Sequence, residues 1–450
     1  MTTMQAFTAY SRFGLGARKG DLALIGDPVS ALIAEISDPA QVTVMEPRLD
    51  DHAAIITTIN KHQKDRAQAR DSGKAKGAYR DPVKVWLDRQ GPLERGVRVS
   101  QALAAPVGYT ERLVAFWSNH FAIQGDMNEM SRALAGAFER EAIRPHVLGS
   151  FADMLLAVTT HPAMLRYLNN AVSVGPHSPQ GSKLGLGLNE NHARELLELH
   201  TLGVDGGYSQ ADVTALAAVL TGWTVHYRGD SAGQFVFRLE AHEPGPQSVA
   251  GKVYDQAGFE QGRAVLADLA ASPITAQHLA DKFVRHFMGD APDPALVASL
   301  AGQLHDTGGN LAALAAGLVL SDAALSMPPN RLKSPQEFLW SAIRALGVAP
   351  DGTQVQDLLE GMGQPLWNPN SPAGFPDAAM SWLGPEAITA RIDAAQTLAL
   401  AATGPDDPVV VAQAVLGPAL QPATQEAMER AESRTQALVL MLMSPEFQRR

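Results

Sequence analysis

The chain reads as a mainly α-helical protein: a multi-helix globular bundle with one small β-hairpin and one long irregular loop. Apolar residues recur at helical steps from one end of the sequence to the other. Only one region alternates like paired strands, residues 234–239 (QFVFRL) and 249–254, separated by the HEPGPQ stretch, which places a hairpin at about 234–254. Composition agrees. Of 450 residues 46% are hydrophobic and only 18% charged, and 29 Pro and 39 Gly provide frequent helix breaks. No Pro/Gly/Ser linker divides the chain into unlike halves, so residues 1–450 are expected to form a single helical module.

The elements follow in order. Residues 60–80 gather Lys61, Lys64, Arg66, Arg70, Lys74, Lys76 and Arg80 against Asp65 and Asp71, with almost no apolar side chains; a polar, mobile insertion is expected there. Residues 111–117 are amphipathic, and 130–144 repeat Leu134, Phe138 and Ile143 at helical steps. Residues 151–158 read as a helix that ends near Pro162. A Gly/Ser/Pro-rich loop occupies 171–188, and a helix follows at 189–203. Ser209 and Asp212 form a capping box ahead of Val213, Leu216, Leu220 and Trp223. Helical patterns return at 275–287, 311–320, 334–346 and 424–443. Residues 363–384 hold four prolines and three glycines and no helical period; an ordered loop anchored by Trp367, Phe375 and Trp382 is expected.

Charge and missing residue types remove several function classes. With 36 basic and 47 acidic residues the net charge is -11, which argues against nucleic-acid binding. There is no cysteine, so disulfides, thiolate metal sites and a cysteine nucleophile are excluded. No run of 18 apolar residues exists to span a membrane. The first residues, MTTMQAFTAYSRFG, lack the apolar stretch of a signal peptide, so a cytoplasmic location is expected of the chain as written. No zincin His-Glu-x-x-His, P-loop or nucleophile elbow is present. The G-x-G at 185–187 follows no strand, so a dinucleotide fold is not supported.

The run NENHARELLELHTLG at 189–203 is the most informative stretch. At about 100° per residue, Asn191, Arg194, Glu195 and Glu198 share one helical face, with Ala193, Leu196, Leu197 and His200 opposite. Two carboxylates, a guanidinium and an amide on one face can hold a metal, position a substrate or exchange protons; they also make an ordinary solvated face with i,i+4 pairs. His120, beside Asn119 in WSNHF, and His242, at the expected hairpin tip, are the histidines best placed to join them. Lys333 and Arg391 lie near proline-rich breaks, where lone cations usually cap helix ends or pair with carboxylates.

These motifs resemble a large bacterial family known only as domain of unknown function 1800. The likeness runs through RFGLGAR (12–18), WSNHF, NENHARELLELHTLGV, GGYSQADV and LTGW, then the F-x-F…HEPG…GKVY segment, RLKSPQEF and GQPLWNPNSPAGFPD…SWL, to Arg391 and beyond. The resemblance implies no assigned reaction. It implies members that are often exported and often encoded beside a sulfatase-like partner. Its pattern falls on Trp117, Asn119 and His120, on Asn189, Asn191, Arg194, Glu195 and Glu198, on Gly222 and Trp223, and on His242. This chain departs from it at Glu243, where aspartate is usual, at Gln247, where lysine is common, and at His192, where an aromatic is usual.

Two functional readings follow. In the first, His120, Glu195, Glu198 and His242 are catalytic and Asn119, Asn191, Arg194 and Trp223 bind substrate in one buried pocket. Carboxylates and imidazoles without thiolates suit a divalent metal such as Mg, Mn, Fe or Zn, or metal-free acid–base chemistry. Hydrolysis or oxidation of a polar, carbohydrate-like or sulfated substrate is the class to test first. In the second reading the protein binds or assembles without catalysis, and the polar stripe is a structural ion-pair network.

Overall fold

The structure, a computed structural model, describes residues 3–71, 80–227, 229 and 231–450. Helix makes up 64% of it, and strand is confined to two antiparallel two-stranded ladders. A core cluster of buried residues runs from Ala6 to Phe447. Among the described residues no helix is long and apolar enough to cross a membrane.

The strands lie in the expected region, but their pairing differs from the single hairpin read at 234–254. Strand β1 (Trp223–Val225) pairs with β2 (Phe235–Phe237), and β3 (Gln247–Val249) pairs with β4 (Lys252–Tyr254). Two constraints decide this. Gly222 (φ 78°) turns the chain after the Gln210–Val219 helix and delivers Trp223 to the core, where its ring packs on Phe235 and Phe259. Ala250 (φ 47°) and Gly251 (φ 78°) then form a two-residue turn with both φ positive, which closes β3 directly onto β4.

Several elements differ in detail from their sequence reading. Residues 61–71 continue one helix, His52–Asp71, in which Arg66 grips Glu129 at 2.6 and 2.9 Å and Asp81 at 3.1 Å. The rest of the expected insertion, 72–79, lies outside the described residues. The 171–188 loop contains a short helix, Pro179–Leu184, capped by Ser178. The 424–443 pattern is broken into Pro422–Glu429 and Arg434–Met443, because Ser433 caps a new start. Residues 191–200 are α-helical only over Asn191–Glu195; Leu196–His200 is a π turn. The capping box of Ser209 and Asp212 is present as read.

Three elements position the site. The Tyr109–His120 helix starts after Gly108 (φ 100°), where a Cβ would sit 2.6 Å from Leu15. Glu35, on the Pro28–Ile36 helix, accepts the backbone N–H groups of Val107, Gly108 and Thr110 at 2.9–3.1 Å, so a buried carboxylate caps the new helix. The Pro335–Leu346 helix has a Ser334–Glu337 capping box and a left-handed Gly347 at its end. Residues 363–384 pass over both as an irregular loop with one short helical turn, Ala379–Trp382. Asn119 holds it by donating to the Phe375 carbonyl (3.0 Å) and accepting the Phe375 N–H (2.7 Å).

Replacing Glu35 by Ala strands three buried N–H donors at once. The unfolding free energy is expected to fall by about 2–4 kcal/mol, read as a lower urea midpoint. A change below about 0.5 kcal/mol would show that the cap is dispensable.

Candidate functional site

The pocket expected around residues 191–198 is not assembled. Asn191 is exposed, and Arg194, Glu195 and Glu198 are only half-buried. Arg194 donates to Gln210 (2.8 Å) and Glu190 (3.2 Å) rather than pairing with Glu198. Burial and then Glu198 push the Glu195 carboxyl above its ordinary range, against the pull of Arg194. The carboxylates lie near tyrosines: Tyr208 bonds Glu198, and burial together with Glu195 raises the Tyr167 phenol to about 12. The helical face itself is as read, with Ala193, Leu196, Leu197 and His200 buried opposite it, but the element turns the polar side toward solvent instead of into the core.

Neither histidine bonds these carboxylates among the described residues. His120 is buried, accepts a hydrogen bond from Lys282 Nζ on Nδ1 (3.0 Å) and donates from Nε2 to the His200 carbonyl (3.1 Å). Burial and then the Lys282 charge hold its imidazole well below the ordinary range, hence neutral. His242 was expected at an exposed tip; it is buried and meets the Thr221 carbonyl through Nδ1 (3.0 Å). Trp223 is wholly buried in the aromatic cluster. Of the expected residues only Asn119 lines the cavity described next.

That cavity, about 80 Å³, lies under the 363–384 loop. WSNHF supplies Asn119 to its lining, RLKSPQEF supplies Arg331 and Glu337, and GQPLWNPNSPAGFPD supplies Trp367, Phe375 and Asp377. Glu337 is the hub. One oxygen accepts from Arg112 (2.7 Å); the other accepts from Arg450 (2.7 Å) and the Ser334 N–H (2.8 Å). Asp377, half-buried, takes the Nδ1 proton of His286 (2.9 Å) and a bond from Arg331 (3.2 Å). The far nitrogen, His286 Nε2, accepts from Arg112 (3.3 Å). Burial outweighs Asp377 and lowers the imidazole to about 4. Burial would raise Asp377, but His286 and then Arg331 outweigh it and hold the carboxyl below its usual range.

Two more cations stand behind this wall. Lys333 is buried with its ammonium 4.4 Å from the centre of the Phe447 ring, and burial, outweighing Glu337, lowers it to about 7. Arg391 donates to the Lys333 carbonyl (2.6 Å) and Gln448 (3.0 Å) and stacks on Phe338. Three buried guanidinium groups (Arg112, Arg331 and Arg450) thus meet two carboxylates, Glu337 and Asp377, and Lys333 and Arg391 lie buried behind them. A half-exposed Asp290, 3.8 Å from Arg331, adds partial compensation at the rim. The opposite wall is balanced: Glu111 takes Arg144 (2.6 Å) and Arg98 (2.5 Å), while Glu139 takes Arg98 (2.8 Å), Ser118 (2.9 Å) and the Trp367 indole (3.0 Å).

Sequence reasoning met Lys333 and Arg391 only as lone cations, and Arg331 and Glu337 only within a motif. Asp377 likewise stood only within a motif, and Arg112, His286 and Arg450 gave no signal, because their partners lie far away along the chain.

A second cluster joins His52, Glu141 and His161, whose ligating atoms lie within 4.8 Å of one another. Two imidazoles and a carboxylate suit zinc or non-haem iron. The hydrogen bonds favour another use. The Ala163 N–H donates to His161 Nδ1 (3.1 Å), so the ring proton sits on Nε2, facing Glu141 at 3.5 Å, where a metal would need a lone pair. Glu141 also accepts His52 Nδ1 (2.5 Å) and the His52 backbone N–H (3.0 Å), tying three elements together. Burial raises the Glu141 carboxyl, but the bonds from His161 and His52 outweigh it and hold the group at about 2.

A carboxyl held below its unfolded value contributes stability that is complete above that value and lost as pH falls through the folded one. For Glu141 the window runs from about pH 4.5 down to about pH 2. Glu141→Gln should therefore lie on the order of 3 kcal/mol below the parent at pH 6, and the gap should shrink as both are melted at successively lower pH. A gap that stays constant to pH 2.5 would remove the triad from the acid response.

No curated protein and no solved structure matches the chain. A family model does: the one described as "Protein of unknown function (DUF1800)" matches residues 8–449, nearly the whole sequence. The chain belongs to the DUF1800 family.

Proposed function

We propose that the cavity beneath the 363–384 loop binds a small, polar, anionic molecule and that His286, oriented by Asp377, exchanges protons with it. The single observation that carries this reading is the wall on which three buried guanidinium groups, Arg112, Arg331 and Arg450, meet two carboxylates, Glu337 and Asp377, with Lys333 and Arg391 buried behind it. Unpaired buried charge is expensive, and an entering anion relieves it. A ligand oxygen that draws Arg112 toward itself frees His286 Nε2, whose partner Asp377 already fixes the proton on Nδ1. The acid–base form of the expected activity is thus carried by residues other than those first singled out. The sulfatase-like partner that the family resemblance implies makes sulfate esters natural members of the ligand class.

A second reading has its own support. Glu337 already has partners on both oxygens, as expected of a network that holds helices in register without any ligand.

Thermal shift with gluconate, glucuronate, a sugar sulfate, sulfate and phosphate separates the two. A bound anion at 100 times its Kd should stabilise the fold by about 2.7 kcal/mol. Lys333→Met removes a buried amine that sits over the Phe447 ring and has no carboxylate bonded to it among the described residues. It should leave the fold as stable as the parent or more so and weaken the anion several-fold. No shift with any anion, together with unchanged behaviour of the variant, would favour the structural network.

A further inference from the structure

The inner cavity has a neighbour. On the other side of Trp367 a groove of about 540 Å³ opens between the Pro82–Ala104 and Gly352–Gly361 helices. Trp367 and Leu366 line both spaces, so this short stretch of loop is the partition between them. Trp367 is held there against its own backbone preference. Its φ is 54°, a left-handed value at which a bulky residue is an outlier, and such strain gathers at ligand clamps. Its carbonyl accepts the Gly125 N–H (3.0 Å), where a Cβ on Gly125 would lie 2.7 Å from that oxygen. Its indole N–H bonds Glu139 on the inner side.

The groove has the chemistry of a sugar site. Trp86 and Trp367 line it, together with Gln90 and Gln356. Apolar C–H faces stack on such rings, and adjacent hydroxyls match planar amide and carboxylate groups. Pro92, inside the helix, has no N–H, so the carbonyl of Asp88 loses its helical donor at the groove wall. Charge divides the two spaces. With Glu94 paired to Arg140, the groove presents Asp50, Asp88, Asp126 and Glu360 against Arg95 and Arg132, whereas the Glu337 wall of the inner cavity holds Arg112, Arg331 and Arg450 with Lys333 and Arg391 behind it. An acidic groove repels a chain charged along its length and admits a neutral one.

We infer that groove and cavity form one site for a short neutral sugar chain bearing a single acidic group at one end, with the acid in the cavity, the neutral sugar in the groove and Trp367 as the platform between. This inference rests on the anion-binding reading above and adds the class of ligand.

Calorimetry tests it with three aldobionates (cellobionate, maltobionate and lactobionate), each a neutral sugar joined to one carboxylate. Gluconate serves as the acid alone and digalacturonate as a dianion. At least one aldobionate should bind about tenfold tighter than gluconate, a difference of about 1.4 kcal/mol. Trp86→Ala, checked for folding by near-ultraviolet circular dichroism, should reduce that affinity to the gluconate level and leave gluconate unchanged. Equal binding of gluconate and every aldobionate would overturn the inference while leaving anion binding intact. Digalacturonate binding tighter than all three aldobionates would overturn the charge division and with it the inference. No binding of any of them, gluconate included, would overturn both readings.

Discussion

Glu337 is the side chain on which the charged half of the molecule depends. It closes the capping box of its own helix, neutralises Arg112 from the Tyr109–His120 helix, and holds Arg450 against the 286–287 backbone. One buried carboxylate therefore joins segments separated by hundreds of positions. Such an anion is stable only because both of its oxygens are bonded, three donors in all. The cations it gathers outnumber it, and that surplus gives the cavity its character.

The two spaces beside Trp367 show how a loop without regular structure can be as ordered as the helices beneath it. Its backbone is tied by Asn119 and Gly125, its aromatic residues reach inward, and Asp377 anchors its far end to His286 and Arg331. Loops carry chemistry when a rigid scaffold positions them. Here the helical scaffold supplies most of the charge, and the loop supplies the aromatic cover and the carboxylate that bonds His286.

The helices were legible because each buries one apolar face, and a 3.6-residue period records that directly. The strand pairing was not: the turn that closes β3 on β4 uses Ala250 rather than the Asn or Gly that usually announces two positive φ angles. The π turn at Leu196–His200 was equally silent, yet the face survived it; what periodicity does not record is whether the side bearing Glu195 and Glu198 meets solvent or another element. His242 read as exposed because it lies between strands, whereas its ring packs beside Phe237. At the cavity, Asn119 was visible beside an amphipathic helix. Arg112, His286 and Asp377 were not, since a long-range ion pair leaves no periodic trace in either partner.

The Glu129–Phe138 helix passes into a second π turn, Glu139–Ile143, before Pro145 ends the run. That wide turn accommodates one residue more than an α-helix would. It sends Glu139 toward Arg98 and the cavity while Glu141 turns to His52 and His161. The two carboxylates, two positions apart, thereby serve different neighbourhoods from a single piece of backbone. In evolutionary terms the register here is set by length rather than by side-chain identity. A descendant that lost one residue between positions 139 and 143 would regain an unbroken helix and forfeit one of the two connections, even with every other residue preserved.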